Sequence, residues 1–265
     1  MKRGLGIFWV IAALSSACSD YSVILKGDDY SKKFSTANEL YEKSTKSSFG
    51  KAIVLYEQVF QHAPKTAEGE LSYFLMAKSY FGSGDYYMAG YFFGSYVQRY
   101  PYSQRNEEAF FLAALCSVNN SPKWSLDQTE TYAAINAVQE FIDKYPKSVL
   151  VDSCNKILDD LSYKLEFKDY NKVLLYDKTE NFKAAVSYSD FFTENYPLSI
   201  HDEEIQYIGV KNAFYLAQNS IEAKKRERIE ETIARYRTFV SDFPASEYVK
   251  SLQALLKIWE NDYEF

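Results

Sequence analysis

Histidine, cysteine and glycine are scarce in this chain, and each scarcity removes a class of chemistry. There are 2 histidines, 3 cysteines and 10 glycines in 265 residues. His62 and His201 lie far apart, and no His or Cys pair has the spacing of metal ligands, so no zinc site is expected. The glycines form no phosphate-cradling loop, and there is no nucleophile elbow. Lysine and arginine do not cluster: the net charge is −6, and the run from Lys224 to Arg228 is broken by Glu227 and followed by Glu230 and Glu231. That run reads as a solvated helix face or loop, and a nucleic-acid partner is not expected, because phosphate binding needs massed positive charge. Carboxylates are plentiful but none stands out as a catalytic pair. The chain is therefore read as a non-enzyme with no cofactor.

What is abundant is aromatic side chains, 17% of the sequence, and their placement repeats. Four segments place an aromatic four residues before a second aromatic, then proline, then serine two places on. They are Tyr96, Tyr100, Pro101, Ser103; Phe141, Tyr145, Pro146, Ser148; Phe192, Tyr196, Pro197, Ser199; and Phe239, Phe243, Pro244, Ser246. A weaker copy runs Phe60, Ala63, Pro64, Thr66. The prolines fall 37, 45, 51 and 47 residues apart. A period of roughly 20–50 residues is the mark of stacked repeats, in which no unit buries its apolar face alone. Proline ends the helix before it, and the hydroxyl residue is expected to cap the next one. Acidic residues then suit the positive end of that helix: Glu68 and Glu70, Glu107 and Glu108, Asp202 to Glu204, Glu247.

The resulting helical pairs are expected at 33–46 with 49–62, 67–82 with 85–99, 104–118 with 128–144, 149–177 with 180–195, and 200–220 with 225–242. A last helix over 246–262 carries Val249, Leu252, Leu255, Leu256 and Trp259 at helical spacing and would cap the stack. Ala77, Tyr80, Gly84, Tyr86, Ala89, Phe93 and Pro101 resemble a tetratricopeptide repeat. Ala52, Ala134 and Ala185 take the place of Ala89 in other units, with Thr232 in the last. The resemblance implies an all-α fold, an α-α superhelix (solenoid) of about five tetratricopeptide-like helical pairs with a C-terminal capping helix.

The first 17 residues hold Lys2, Arg3 and an apolar run, and end in Ser15, Ser16 and Ala17 before Cys18. This pattern is a secretory signal, too short to span a bilayer comfortably. Its end resembles the lipobox of bacterial lipoproteins, with Ser15 where leucine is commoner. The resemblance implies cleavage before Cys18 and acyl chains on it, which tie a protein durably to a membrane. Residues 18–32 then read as an extended, lipidated tether. Cys116 and Cys154 would share an oxidising compartment, where a disulfide is permitted; two small buried thiols are the favoured reading.

In tetratricopeptide arrays the first helix of each pair lines a groove that takes a peptide. Carried onto this chain, the groove positions are Phe34, Tyr41, Phe74, Lys78 and Phe81, an aromatic trough with one positive charge. Tyr86, Tyr87, Tyr91, Phe92, Phe93 and Tyr96 lie on a second helix and are expected in the core. Lipobox, tether, five helical pairs and cap together resemble the BamD family of the β-barrel assembly machinery. That resemblance implies a lipoprotein on the periplasmic face of the outer membrane. Its N-terminal repeats, 33–145, would recognise C-terminal signals of unfolded outer membrane proteins. Its C-terminal repeats and cap, 146–265, would bind the periplasmic domains of BamA alongside other machinery components. The alternatives are a tetratricopeptide lipoprotein serving another envelope complex, or a glycan-binding lipoprotein of the SusD type, although such proteins are longer.

Overall fold

The computed structural model describes residues 20–260, which are all-α, with no strand among them. A short helix, α1, covers 20–26. It is followed by α2 (Tyr30–Glu42), α3 (Lys46–His62), α4 (Ala67–Ser83), α5 (Tyr86–Arg99), α6 (Asn106–Asn120) and α7 (Thr129–Lys144). Then come α8 (Val151–Lys178), α9 (Phe182–Asn195), α10 (Asp202–Gln218), α11 (Glu222–Asp242) and α12 (Tyr248–Leu256), closed by a 3₁₀ turn at Lys257–Trp259. The five helical pairs lie within a few residues of their expected spans. The tether is not extended over 20–26: there it is helical, and the Tyr21 hydroxyl donates to Lys51 O at 3.2 Å while Ile24 and Leu25 pack on the core.

The chain forms two compact units, one ending at Leu158 and one beginning at Asp159. The division falls inside α8, later than residue 145. The corner at Tyr145-Pro146 ends a helix without ending a core, because Cys154, Ile157 and Leu158 on the next helix pack back onto Val138 and Phe141. In the first unit each helix from α2 to α7 packs on its neighbour in the chain. In the second, α10 packs on both α9 and α11, and α12 covers α10 and α11 with Leu252, Leu256 and the following Trp259 buried.

The repeat residues explain the pairing. Ala52, Ala89, Ala134 and Ala185 are completely buried, as is Thr232. A methyl at these places lets two helices approach closely; Thr232 fits by returning its hydroxyl to Arg228 O at 2.7 Å. The first aromatics of the corners, Tyr96, Phe141, Phe192 and Phe239, are also fully buried. Each ring rests on the pre-proline aromatic, with centroids 5.1, 5.4, 5.0 and 5.4 Å apart. Burying such a ring contributes about 2–3 kcal/mol, so the corners are anchors as well as stops.

The hydroxyl residues act differently from expectation. Thr66 is a true N-cap, accepting from Gly69 N at 3.1 Å. The four serines instead close a turn over proline, their N–H donating to the pre-proline carbonyl at 3.0–3.1 Å. Each Oγ accepts from the amide two places on, just ahead of the helix in three corners and at its first residue, Tyr248, in the fourth. In three of the five pairs the chain turns between helices through a left-handed residue: Ser44 (φ 50°), Gly84 (φ 84°) and Glu180 (φ 54°). Only glycine takes that conformation without steric cost.

Candidate functional site

The expected groove residues lie in the first unit, on α2 and α4, and the structure gathers only part of them. Lys78 is the centre. Its ammonium donates to Glu108 Oε1 on α6 at 2.9 Å and stands 5.6 Å from the Phe74 ring centroid. Burial alone would lower its pKa, but the hydrogen bond to Glu108 and the neighbouring Tyr41 hydroxyl outweigh that and raise it above lysine's usual value. Tyr41, Phe74 and Lys78 therefore form one cluster. Phe34 and Phe81 pack inside their own helical pairs, edge-on to Tyr56 and Tyr86 respectively.

Two expectations need correcting here. Phe74 is 3% exposed, wedged between Phe93 and Tyr96, so it belongs to the core and presents no groove surface. Its neighbour Ala77 shares the inward face of α4, on which α3 and α5 both pack. Conversely, Tyr87 and Tyr91 on α5 are 67% and 65% exposed. The buried stripe of α5 is Ala89, Phe93 and Tyr96, and Tyr87 and Tyr91, four apart, fall off it. A helical wheel anchored on those three would have found them. Tyr86 and Phe92 are half-buried at its margin.

The partner sequence reasoning missed is Glu108, which neutralises Lys78. A peptide carboxylate seeking that ammonium must compete with it. Also unforeseen is a second acidic residue, Glu70, which holds the α5–α6 corner: the hydroxyls of Tyr96 and Ser103 both donate to its Oε1 at 2.7 Å. Burial would raise the pKa of Glu70, but these two donors and the Arg105 guanidinium prevail and hold it below the ordinary range. In the second unit Glu166 receives the corresponding Ser199 hydroxyl at 2.5 Å. A carboxylate on the preceding helix thus gives the corner hydroxyl its purpose.

The two histidines and the two described cysteines are packed into their own units. His62 stacks on Tyr30 at 3.7 Å and His201 on Tyr170 at 4.0 Å, each within its own unit. Cys116 and Cys154 are free, buried thiols in separate clusters. Among the described residues no group of three or more His, Cys, Asp or Glu could hold a metal ion. None of the described helices is long and apolar enough to cross a membrane. Cys18 and the signal segment lie outside the described residues.

A family model described as YfiO, outer membrane lipoprotein, matches residues 33–189 and 173–262. The chain belongs to the YfiO family of outer membrane lipoproteins. A relative from Aquifex aeolicus (strain VF5), bearing the provisional name outer membrane protein assembly factor BamD, is 25% identical over 238 residues. The alignment covers 85% of this chain and 75% of that protein. The BamD resemblance drawn from corners and lipobox is thereby borne out at the level of the family. The two YfiO matches overlap at 173–189, the end of α8 and start of α9, and together include every helix from α3 to α12.

Proposed function

We propose that this YfiO-family protein is a lipid-anchored scaffold that helps outer membrane β-barrel proteins fold and insert. The observation that carries the reading is the family match across both units, laid over a chain of helical hairpins. Cys18 would carry the acyl chains and hold the protein at the periplasmic face. The unit ending at Leu158 would meet unfolded barrel proteins, and the unit from Asp159 would dock on BamA periplasmic domains. The work would be capture and release without covalent chemistry, so no activity as an enzyme is proposed. Exposed rings suit transient capture, since each adds contact area with few rotamers to freeze.

The groove in this reading is narrower than five residues. Tyr41 and Lys78 remain its polar centre, with Phe34 and Phe81 at its margins, and Glu108 acts as the gate on Lys78. Glu108→Gln should free the ammonium and tighten binding of a peptide ending in an aromatic residue and a free carboxylate; Lys78→Ala should weaken it. Unchanged affinity in both variants would remove the groove assignment. The assembly role is tested separately by crosslinking in intact cells and mass spectrometry of the captured partners. Recovery of a BamA-like barrel is expected; recovery of a different envelope complex would replace this reading.

A further inference from the structure

In the second unit the turn between α8 and α9 borders an open pocket of about 380 Å³ against α10, lined by Asp177, Glu180, Phe182, Lys211, Asn212 and Tyr215. Its floor contains an unmet acceptor. Asn212 is 1% exposed; its amide nitrogen donates to Asp177 Oδ1 at 2.6 Å and to Ile208 O at 2.9 Å, while its Oδ1 has no hydrogen-bond partner. Oδ1 is closed off from solvent as it stands, so an incoming N–H reaches it only where the lining gives way; a buried acceptor left bare is unfavourable, which favours that opening. The opposite assignment of that amide would set oxygen against both Asp177 and the Ile208 carbonyl, so the acceptor is fixed by its surroundings.

The charge of the pocket has the same polarity. Lys211 spends its ammonium on Asp177, reaching Oδ1 at 2.7 Å and Oδ2 at 2.8 Å. That pair neutralises itself and leaves the Glu180 carboxylate as net negative charge. Phe182 and Tyr215 stack on one another with centroids 5.4 Å apart and planes 28° apart, and put aromatic rings in the pocket lining. Glu180 also occupies a left-handed position, φ 54°, where the turn between α4 and α5 uses Gly84. The chain thus places a carboxylate at a site whose backbone favours glycine.

We infer that this pocket receives an arginine side chain presented by a partner polypeptide. A guanidinium meets all three features at once: it donates several N–H groups, carries one positive charge, and lies flat against aromatic rings. An ammonium matches the charge but not the rings. The pairing would be a charge-assisted contact with Glu180, an N–H to Asn212 Oδ1, and stacking on Phe182 or Tyr215. The inference does not depend on which assembly the scaffold serves.

The test uses the full-length chain in detergent, isotope-labelled, with the side-chain amide signals of Asn212 followed by NMR. The probes are the blocked tripeptide Gly-Arg-Gly, its lysine and citrulline counterparts, and free arginine. The arginine tripeptide is expected to shift those signals saturably, at least as tightly as free arginine, with lysine weaker and uncharged citrulline weakest. Glu180→Gly should weaken the tripeptide about tenfold or more while the protein becomes no less heat-stable, and Glu180→Gln should weaken it similarly. Equal binding of citrulline, undiminished binding by Glu180→Gly, or no shift up to tens of millimolar tripeptide would overturn the proposal. Tighter binding of free arginine than of the tripeptide would overturn the polypeptide source.

Discussion

Phe74 and Tyr91 are both aromatic residues inside helices, yet their surroundings give them opposite roles. Phe74→Ala empties a closed space beneath Phe93 and Tyr96 and should cost about 3–5 kcal/mol, read as a lower urea midpoint. Tyr91→Ala removes an exposed ring and should stay within about 0.5 kcal/mol. If the two midpoints fall together, the assignment of Phe74 to the core is wrong. A peptide-binding loss in a Phe74 variant would accordingly report unfolding, which is why Lys78 and Glu108 are the informative positions. Cys116 makes a chemical prediction at the same scale. It is 1% exposed, and burial pushes its pKa up to about 12, so little thiolate exists near neutral pH. A thiol reagent should label it slowly in the native protein and rapidly in denaturant; fast native labelling would contradict the packing.

At the level of elements, the corner between α5 and α6 is a small electrostatic device. Glu70 has a folded-state pKa below its unfolded value, so the folded protein binds that proton less readily than the unfolded chain does. Its stabilisation is therefore present above the unfolded carboxyl value of about 4.3 and is lost as pH falls through the lower folded value. Glu70→Gln should lower the urea midpoint near neutrality and converge on wild type in acid. A constant difference at every pH would show that hydrogen bonding alone, without the charge, holds the corner. This arrangement also explains why serine alone would not reveal the turn's mechanism. The proline and both aromatics act within a few residues of each other and are legible as a string. The carboxylate that receives Ser103 comes from a helix 33 residues earlier, a distance no local pattern records.

At the scale of the whole molecule, the localisation argument begins with Cys18, which precedes the family match and the described residues. If its acylation supplies the anchor, Cys18→Ser should move the protein from the membrane fraction to the soluble periplasmic fraction; retention on washed membranes would assign the attachment to protein contacts. The number of helical pairs, their approximate spans and the buried small residues at Ala52, Ala89, Ala134 and Ala185 could all be read from spacing. Helix periodicity and proline corners are short-range, and each repeat states them again. The unit boundary was not legible, because α8 runs unbroken through it and only the packing of its two halves separates them.

The sequence by itself determined that the chain is helical and built from repeats. These follow from periodicity, from proline's missing N–H and from composition, none of which needs distant residues to meet. Tertiary structure decided which aromatic rings are core and which are surface, which carboxylate closes on Lys78, and that Asn212 keeps a bare acceptor beside Glu180. Each of those depends on two or three helices arriving at one place, where burial and charge are set by neighbours remote in the chain.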